Sequence, residues 1–259
     1  RDDIIEKFQL GYCTDSHDAF AQEAIQKGYK KEYLVKTGLC YETDDHRLRD
    51  RFWGRVIFPV HTLSGKVVAF GGRVLASATK GVKVKYVNSP ESDIYHKSNE
   101  LYGIYFAKQA IVKQGRCFLV EGYTDVISMH QSGIENVVAS SGTALTPGQI
   151  RMIHRFTNNM TVLYDGDAAG IKASIRGIDM LLEEGMNVKV CLLPDGDDPD
   201  SFARKHNSTE FQAFISEHET DFIRFKTNLL LEDAGRDPIK RAELIGNLVQ
   251  SISVIPEAI

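Results

Sequence analysis

The sequence has no CxxC pair, no long apolar run and no GxGxxG fingerprint. Each absence excludes a class. The four cysteines, Cys13, Cys40, Cys117 and Cys191, are far apart in the chain. That spacing offers no zinc site within these residues, and a reducing compartment is the simplest setting. Without an apolar run there is no helical membrane span, and no signal-peptide pattern is visible. Without GxGxxG a dinucleotide site has no support. Internal repeats and low-complexity tracts are absent too. The chain opens at Arg1 rather than Met. It is therefore expected to be a fragment, with any targeting or partner-binding segment outside it.

What is present is a chain of 259 residues, 42% hydrophobic, which can bury a substantial core and build more than one domain. The net charge of −4 hides a division. From Gly65 to Arg116 there are nine Lys and Arg against three Asp and Glu, a net +6. From Cys117 to Asp200 there are five against twelve, a net −7. A basic segment followed by an acidic one suits a phosphate-binding surface beside a metal site.

Three regions follow one another. Residues 1–114 show no βαβ rhythm. Helical patterns cover Asp18–Lys27 and Lys31–Thr37. A strand over Arg55–Val60, a turn at Leu63–Lys66 and a strand from Val67 form a hairpin. This part reads as a basic α+β subdomain. Residues 115–206 alternate strand and helix, with strands at Cys117–Glu121, Val137–Ala139, Met160–Asp165 and Val188–Leu193. Thr146-Pro147 marks a helix start, and Ala168–Glu184 has an amphipathic period closed by Gly185. This rhythm predicts a parallel α/β sheet with right-handed crossovers. Residues 207–259 are helical by pattern, broken at Gly235–Pro238, and are expected to form a helical subdomain.

In the middle region, acidic residues collect where strands end. Glu121 closes the first strand, and Asp125 follows on the next helix. Asp165 and Asp167 are two apart, so in extended backbone both point to one face. Asp198 and Asp200 flank Pro199. Ligands of open parallel sheets bind just beyond the carboxyl ends of the strands. Carboxylates gathered there raise one another's pKa values, and a hard divalent cation relieves the repulsion. Five carboxylates could hold two Mg²⁺ or Mn²⁺ ions about 4 Å apart. The residues by themselves thus point to metal-dependent phosphoryl transfer. Upstream, Arg73, Lys85 and Lys97 are of the type that binds phosphates. Tyr86 can stack on a base or ribose, and Asn88-Ser89-Pro90 is a turn with hydrogen-bonding side chains.

Together these segments resemble a known family. Glu121-Gly122-Tyr123-Thr124-Asp125-Val126, Tyr164-Asp165-Gly166-Asp167-Ala168-Ala169-Gly170 and Asp195–Asp200 resemble the motifs of a Toprim domain, which occurs in primases, topoisomerases and some nucleases. Their wording is most similar to bacterial DnaG-type primase. Ala69–Leu75, Lys85–Glu91, Ile94–Lys97 and Phe8–Tyr12 resemble the basic N-terminal part of that polymerase core, so the likeness covers nearly the whole chain. The Ser141–Thr146 loop resembles another motif near the site. The resemblance implies that Glu121, Asp165, Asp167, Asp198 and Asp200 hold two or more Mg²⁺ or Mn²⁺ ions. Asp125 then stands just behind them, and Glu121 is either a ligand or a general base. Arg73, Lys85, Tyr86, Asn88 and Lys97 would meet nucleotide or nucleic acid. Two departures bear on the basic loop: Val84 stands where the family commonly has proline, and Ala76–Lys83 is longer than usual.

The implied activity is synthesis of short RNA primers on a single-stranded DNA template from ribonucleoside triphosphates. It would take place in the bacterial cytoplasm at replication forks and without a membrane. Contacts to the replicative helicase and single-stranded-DNA-binding protein would run through segments outside these residues. The alternatives are a Toprim nuclease or topoisomerase, or a non-catalytic Toprim-like DNA-binding module.

Overall fold

The computed structural model describes residues 1–75, 84–140, 145–165, 177–194 and 196–256, apart from the side chain of Asp233. The described chain divides into two compact units, Arg1–Glu100 and Leu101–Ile259.

The first unit contains α1 (Asp2–Phe8), β1 (Gly11–Cys13), α2 (Ala19–Gln26), α3 (Lys31–Lys36), β2 (Cys40–Glu42), β3 (Leu48–Asp50), β4 (Arg55–His61), β5 (Val67–Val74) and β6 (Tyr86–Asn88). Strands β1, β4, β5 and β6 form one antiparallel sheet in the order β1-β4-β5-β6, and β2–β3 is a separate hairpin. The hairpin expected at Leu63–Lys66 is there. Gly65 takes φ +87° and its N–H donates to the Thr62 carbonyl at 2.9 Å. Gly72 has a packing reason: a Cβ there would lie 2.8 Å from a ring carbon of Phe52 and 3.0 Å from Cδ of Arg55. Both helices read near the start are present as α2 and α3. However, Asp18, at the N-cap of α2, makes no capping bond. The Asp50 carboxylate on β3 does so instead, accepting from the N–H groups of Phe20 and Ala21 at 2.9 Å each.

The second unit contains α4 (Ile104–Gln114), β7 (Cys117–Val120), α5 (Tyr123–Gln131), β8 (Val137–Ala139), α6 (Pro147–His154), β9 (Asn159–Tyr164), a helical segment α7 over residues 177–183, β10 (Asn187–Leu192), α8 (Pro199–Lys205), α9 (Ser208–His218), β11 (Thr220–Asp221), α10 (Phe222–Ala234) and α11 (Pro238–Ser253). Its five-stranded sheet runs β11-β10-β9-β7-β8. Strands β7, β8, β9 and β10 are parallel, as the alternating pattern predicts, and β11 is antiparallel to β10. All residues of β7 and β8 are buried, as a strand covered on both faces requires. Thr146 caps α6 reciprocally with Gln149: its Oγ1 accepts from the Gln149 N–H at 3.2 Å, and the Gln149 Oε1 accepts from its N–H at 3.1 Å.

The structure adds two details to the sequence reading. Helix α4 lies in the second unit, where Ile104, Ala107 and Ile111 are buried and Tyr102 exchanges two backbone hydrogen bonds with Ala139 of β8. The compact units therefore divide at Glu100/Leu101, ahead of residue 115. The region read as all helical also contributes β11, a two-residue edge strand too short to leave a periodic signal. The first part of the helix read over Ala168–Glu184 falls outside the described residues.

The strand order places a functional landmark. β8 adds on one side of β7 and β9 on the other. The sheet thus reverses its direction of growth at β7, and a ligand crevice opens at the carboxyl ends of strands flanking such a switch point.

Candidate metal centre and basic face

Glu121 directly follows β7, and Asp165 directly follows β9, so the two carboxylates stand at neighbouring strand ends across the switch point. Glu121 is exposed and, among the described residues, makes no hydrogen bond or ion pair. Asp165 is also exposed, while Asp167 lies outside the described residues.

Asp125, in the first turn of α5, is the buried member, 8% exposed. One carboxylate oxygen accepts from the Gly122 N–H at 2.9 Å and the other from the Asp200 N–H at 3.3 Å. Burial is the main force pushing its pKa up to about 7; the Gly122 N–H pulls the other way, and the negative charges of Asp198 and Asp165 add to the rise. That interaction ties carboxylates from three segments into one electrostatic cluster.

Asp198 and Asp200 have different surroundings. Asp198 is the N-cap of α8 and accepts from the Ser201 N–H at 2.6 Å. Asp200 is gripped on both oxygens by the Arg204 guanidinium, at 3.0 and 2.8 Å, and also accepts from the Ser128 hydroxyl on α5. Neighbouring Asp197 accepts from Lys205 at 2.5 Å and Ser201 at 2.7 Å, and the Lys205 contact holds its carboxyl below the usual range. Ser128, Ser201, Arg204 and Lys205 were not among the residues singled out from sequence. Only the i,i+4 spacing of Asp200 and Arg204 on α8 carried a local signal for them. Among the described residues no group of three or more His, Cys, Asp or Glu is placed closely enough to hold a metal ion; Asp167 and Asp195 are outside that set.

In the first unit, Arg73 on β5 pairs with Tyr86 on β6, and the guanidinium carbon sits 5.3 Å from the centre of the tyrosine ring. Lys85 is exposed next to Tyr86, and its carbonyl accepts from the Val74 N–H at 3.1 Å. Asn88 pairs with Gly71 and shares Tyr86's face. Lys97 opens a short 3₁₀ turn after the sheet, where its N–H donates to Glu91 at 2.9 Å. Exposed Val84, where the family commonly has proline, is held by Arg55, which donates to its carbonyl at 3.2 Å. Residues 76–83 and 141–144 lie outside the described set.

Residues 1–108 match the family described as DNA primase catalytic core, N-terminal domain, and residues 118–203 match the Toprim-like family. The chain is 40% identical over 253 residues to a DNA primase of Clostridium acetobutylicum, covering 98% of this chain and 41% of that protein. It superposes on a DNA primase domain from Pseudomonas aeruginosa with a TM-score of 0.87 and 33% identity, covering 98% of this chain and 79% of the other. It superposes equally well, at 0.87 and 34% identity, on a DnaG primase catalytic domain bound to ssDNA, covering 99% and 82%.

The chain belongs to the DnaG primase catalytic-core family.

This DnaG-type chain spans about two-fifths of the length of the curated relatives it matches, 41% in the clostridial case. A Toprim domain implies use of divalent metal, and the residues present fit it. The donor set is made of carboxylate oxygens, the preference of a hard cation. Asp125 stands buried behind them, and the negative charges of Asp198 and Asp165 add to the burial that raises its pKa. No helix among the described residues is long and apolar enough to cross a membrane.

Proposed function

We propose that this chain is the RNA-polymerising core of a bacterial DNA primase, joining ribonucleotides on a single-stranded DNA template. The observation that carries the reading is the carboxylate cluster at the β7/β9 switch point, in which Asp165 and Asp198 act on buried Asp125. Glu121, Asp165, Asp167, Asp198 and Asp200 are the residues that would hold two or more Mg²⁺ or Mn²⁺ ions. Bound there, the cations would acidify an attacking 3′-hydroxyl and neutralise the departing pyrophosphate.

The chain's own residues have distinct parts. Glu121, exposed and unpaired among the described residues, is available as a ligand. Asp125 fixes the Gly122 turn and the start of α8 through its two backbone bonds. Arg204 and Ser128 hold Asp200 in one orientation. Arg73, Lys85 and Lys97 bind phosphates of template, primer or triphosphate, with Tyr86 and Asn88 against base or ribose. A functional division at 114 and 206 is supported by the extents of the two family matches, 1–108 and 118–203. The same reading places the protein in the cytoplasm at replication forks. Helicase and single-stranded-DNA-binding protein would be reached through segments beyond these residues.

The test is incorporation of labelled ribonucleotides on single-stranded DNA with Mg²⁺ or Mn²⁺, comparing the chain with an Asp165→Ala, Asp167→Ala double variant. Template-dependent RNA from the unmutated chain alone supports the proposal. No RNA under either metal, even on a preformed primer, would turn the reading toward a nuclease or a DNA-binding module. Equal RNA from both proteins would remove the Asp-Gly-Asp pair from the site.

A further inference from the structure

The β1 edge of the first sheet carries a tyrosine outside the functional set discussed so far. Strand pairing places it: Tyr12 of β1 is opposite Val56 of β4, Val56 is opposite Arg73 of β5, and Arg73 is opposite Tyr86 of β6. Directly opposed residues of antiparallel strands project from the same face. Tyr12, Val56, Arg73 and Tyr86 therefore form one row across the whole sheet. Both ends of the row are accessible aromatics, Tyr12 at 49% and Tyr86 at 38% exposure. Between them stand a partly buried valine and the partly buried Arg73, whose guanidinium lies against the Tyr86 ring. Three inter-strand steps separate the two tyrosines, about 14 Å at ~4.8 Å per step, room for successive bases of an extended strand.

We propose that Tyr12 is a base-stacking residue for single-stranded DNA, extending the Arg73–Tyr86 surface to the far edge of the sheet. The inference rests on the nucleic-acid reading above and goes beyond it, because it adds a contact on a different strand. Several observations favour this occupant. Bases have π-faces that stack on exposed aromatic rings in a sequence-tolerant way. Arg73 within the row and exposed Lys85 at its β6 end supply positive charge for the backbone between bases. The Tyr12 hydroxyl donates to Asp15 at 2.7 Å, which restrains the ring in advance of binding. A restrained platform loses less side-chain freedom when a base stacks on it.

The experiment measures the affinity of the full chain for a dye-labelled oligothymidine of ~12 nucleotides, with Tyr12→Leu, Tyr12→Phe and Arg73→Gln variants. Circular dichroism and thermal unfolding confirm that each variant is folded. Tyr12→Leu is expected to weaken binding about tenfold and to leave the slope of log affinity against log salt unchanged. Tyr12→Phe keeps the ring and should stay within about twofold. Arg73→Gln should lower the salt slope by ~0.7, the signature of one lost phosphate contact on a single strand. An oligomer carrying 2-aminopurine should be quenched by the unmutated chain and not by Tyr12→Leu. Unchanged affinity in Tyr12→Leu overturns the proposal. So does equal weakening in Tyr12→Phe and Tyr12→Leu, which would assign the effect to the Asp15 bond. If the chain makes no RNA yet binds the oligomer in a Tyr12-dependent way, the primer-synthesis reading fails and this inference stands.

Discussion

Two carboxylates show how differently one residue type behaves in this molecule. Glu121 is exposed and unpaired among the described residues, so its charge contributes little to folding. Glu121→Gln should reduce RNA synthesis by on the order of 10²-fold while the urea unfolding midpoint shifts by no more than ~0.5 kcal/mol equivalent. Loss of Mn²⁺ affinity in the same variant, read by calorimetry, would mark Glu121 as a ligand. Retained metal affinity with lost activity would mark it as a base. Glu100 is the opposite case. Burial pushes its pKa up to about 7, with His96 pulling slightly the other way. The folded state therefore holds a proton that the unfolded chain releases nearer pH 4.5, and stability falls as pH rises from that value through about 7. Glu100→Gln should match the parent at pH 4 and exceed it at pH 8, by ~1–2 kcal/mol after allowance for the group's partial exposure. Unfolding curves at both pH values check the sign.

At the scale of elements, the decisive contacts join segments far apart in sequence. Asp50 reaches back about thirty residues to cap α2 and is 1% exposed. Asp50→Ala would leave two helix-end N–H groups without their acceptor in a buried place. A loss of ~2–3 kcal/mol in urea unfolding is expected, against a few tenths for Asp18→Ala, whose side chain makes no cap bond. The capping pattern at Thr146-Pro147 was readable because donor and acceptor are three residues apart. The cap on α2 was not, because Asp18 has the right residue type in the right place and a distant carboxylate does the work. A similar long reach joins α7, α10 and α11. The buried Lys226 ammonium donates to Ser251 at 2.6 Å and lies 3.3 Å from Asp179.

Across the whole molecule, the division of charge sets how it meets nucleic acid. The net charge of −4 would argue against DNA, yet the positive excess lies in the stretch holding Arg73, Lys85 and Lys97. If those three each meet one phosphate, log affinity for single-stranded DNA should fall with log salt at a slope of about −2. A slope near zero, measured by anisotropy between low and moderate salt, would show that these residues do not contact the backbone.

The sequence by itself determined the alternation of strand and helix from β7 to β10, the hairpin between β4 and β5, and the types and order of the acidic and basic residues. These are local properties: side-chain periodicity, turn chemistry and charge are written within a few residues of where they act. Tertiary structure alone decided that β9 lies beside β7, which sets Glu121 and Asp165 on neighbouring strand ends. It alone decided that Asp200 is held by Arg204 and Ser128, and that Tyr12 falls in register with Arg73 and Tyr86. Strand order and register depend on which hydrophobic faces find each other across long loops, and residues 121 and 165, or 12 and 86, carry no mark of their partners until the sheet has formed.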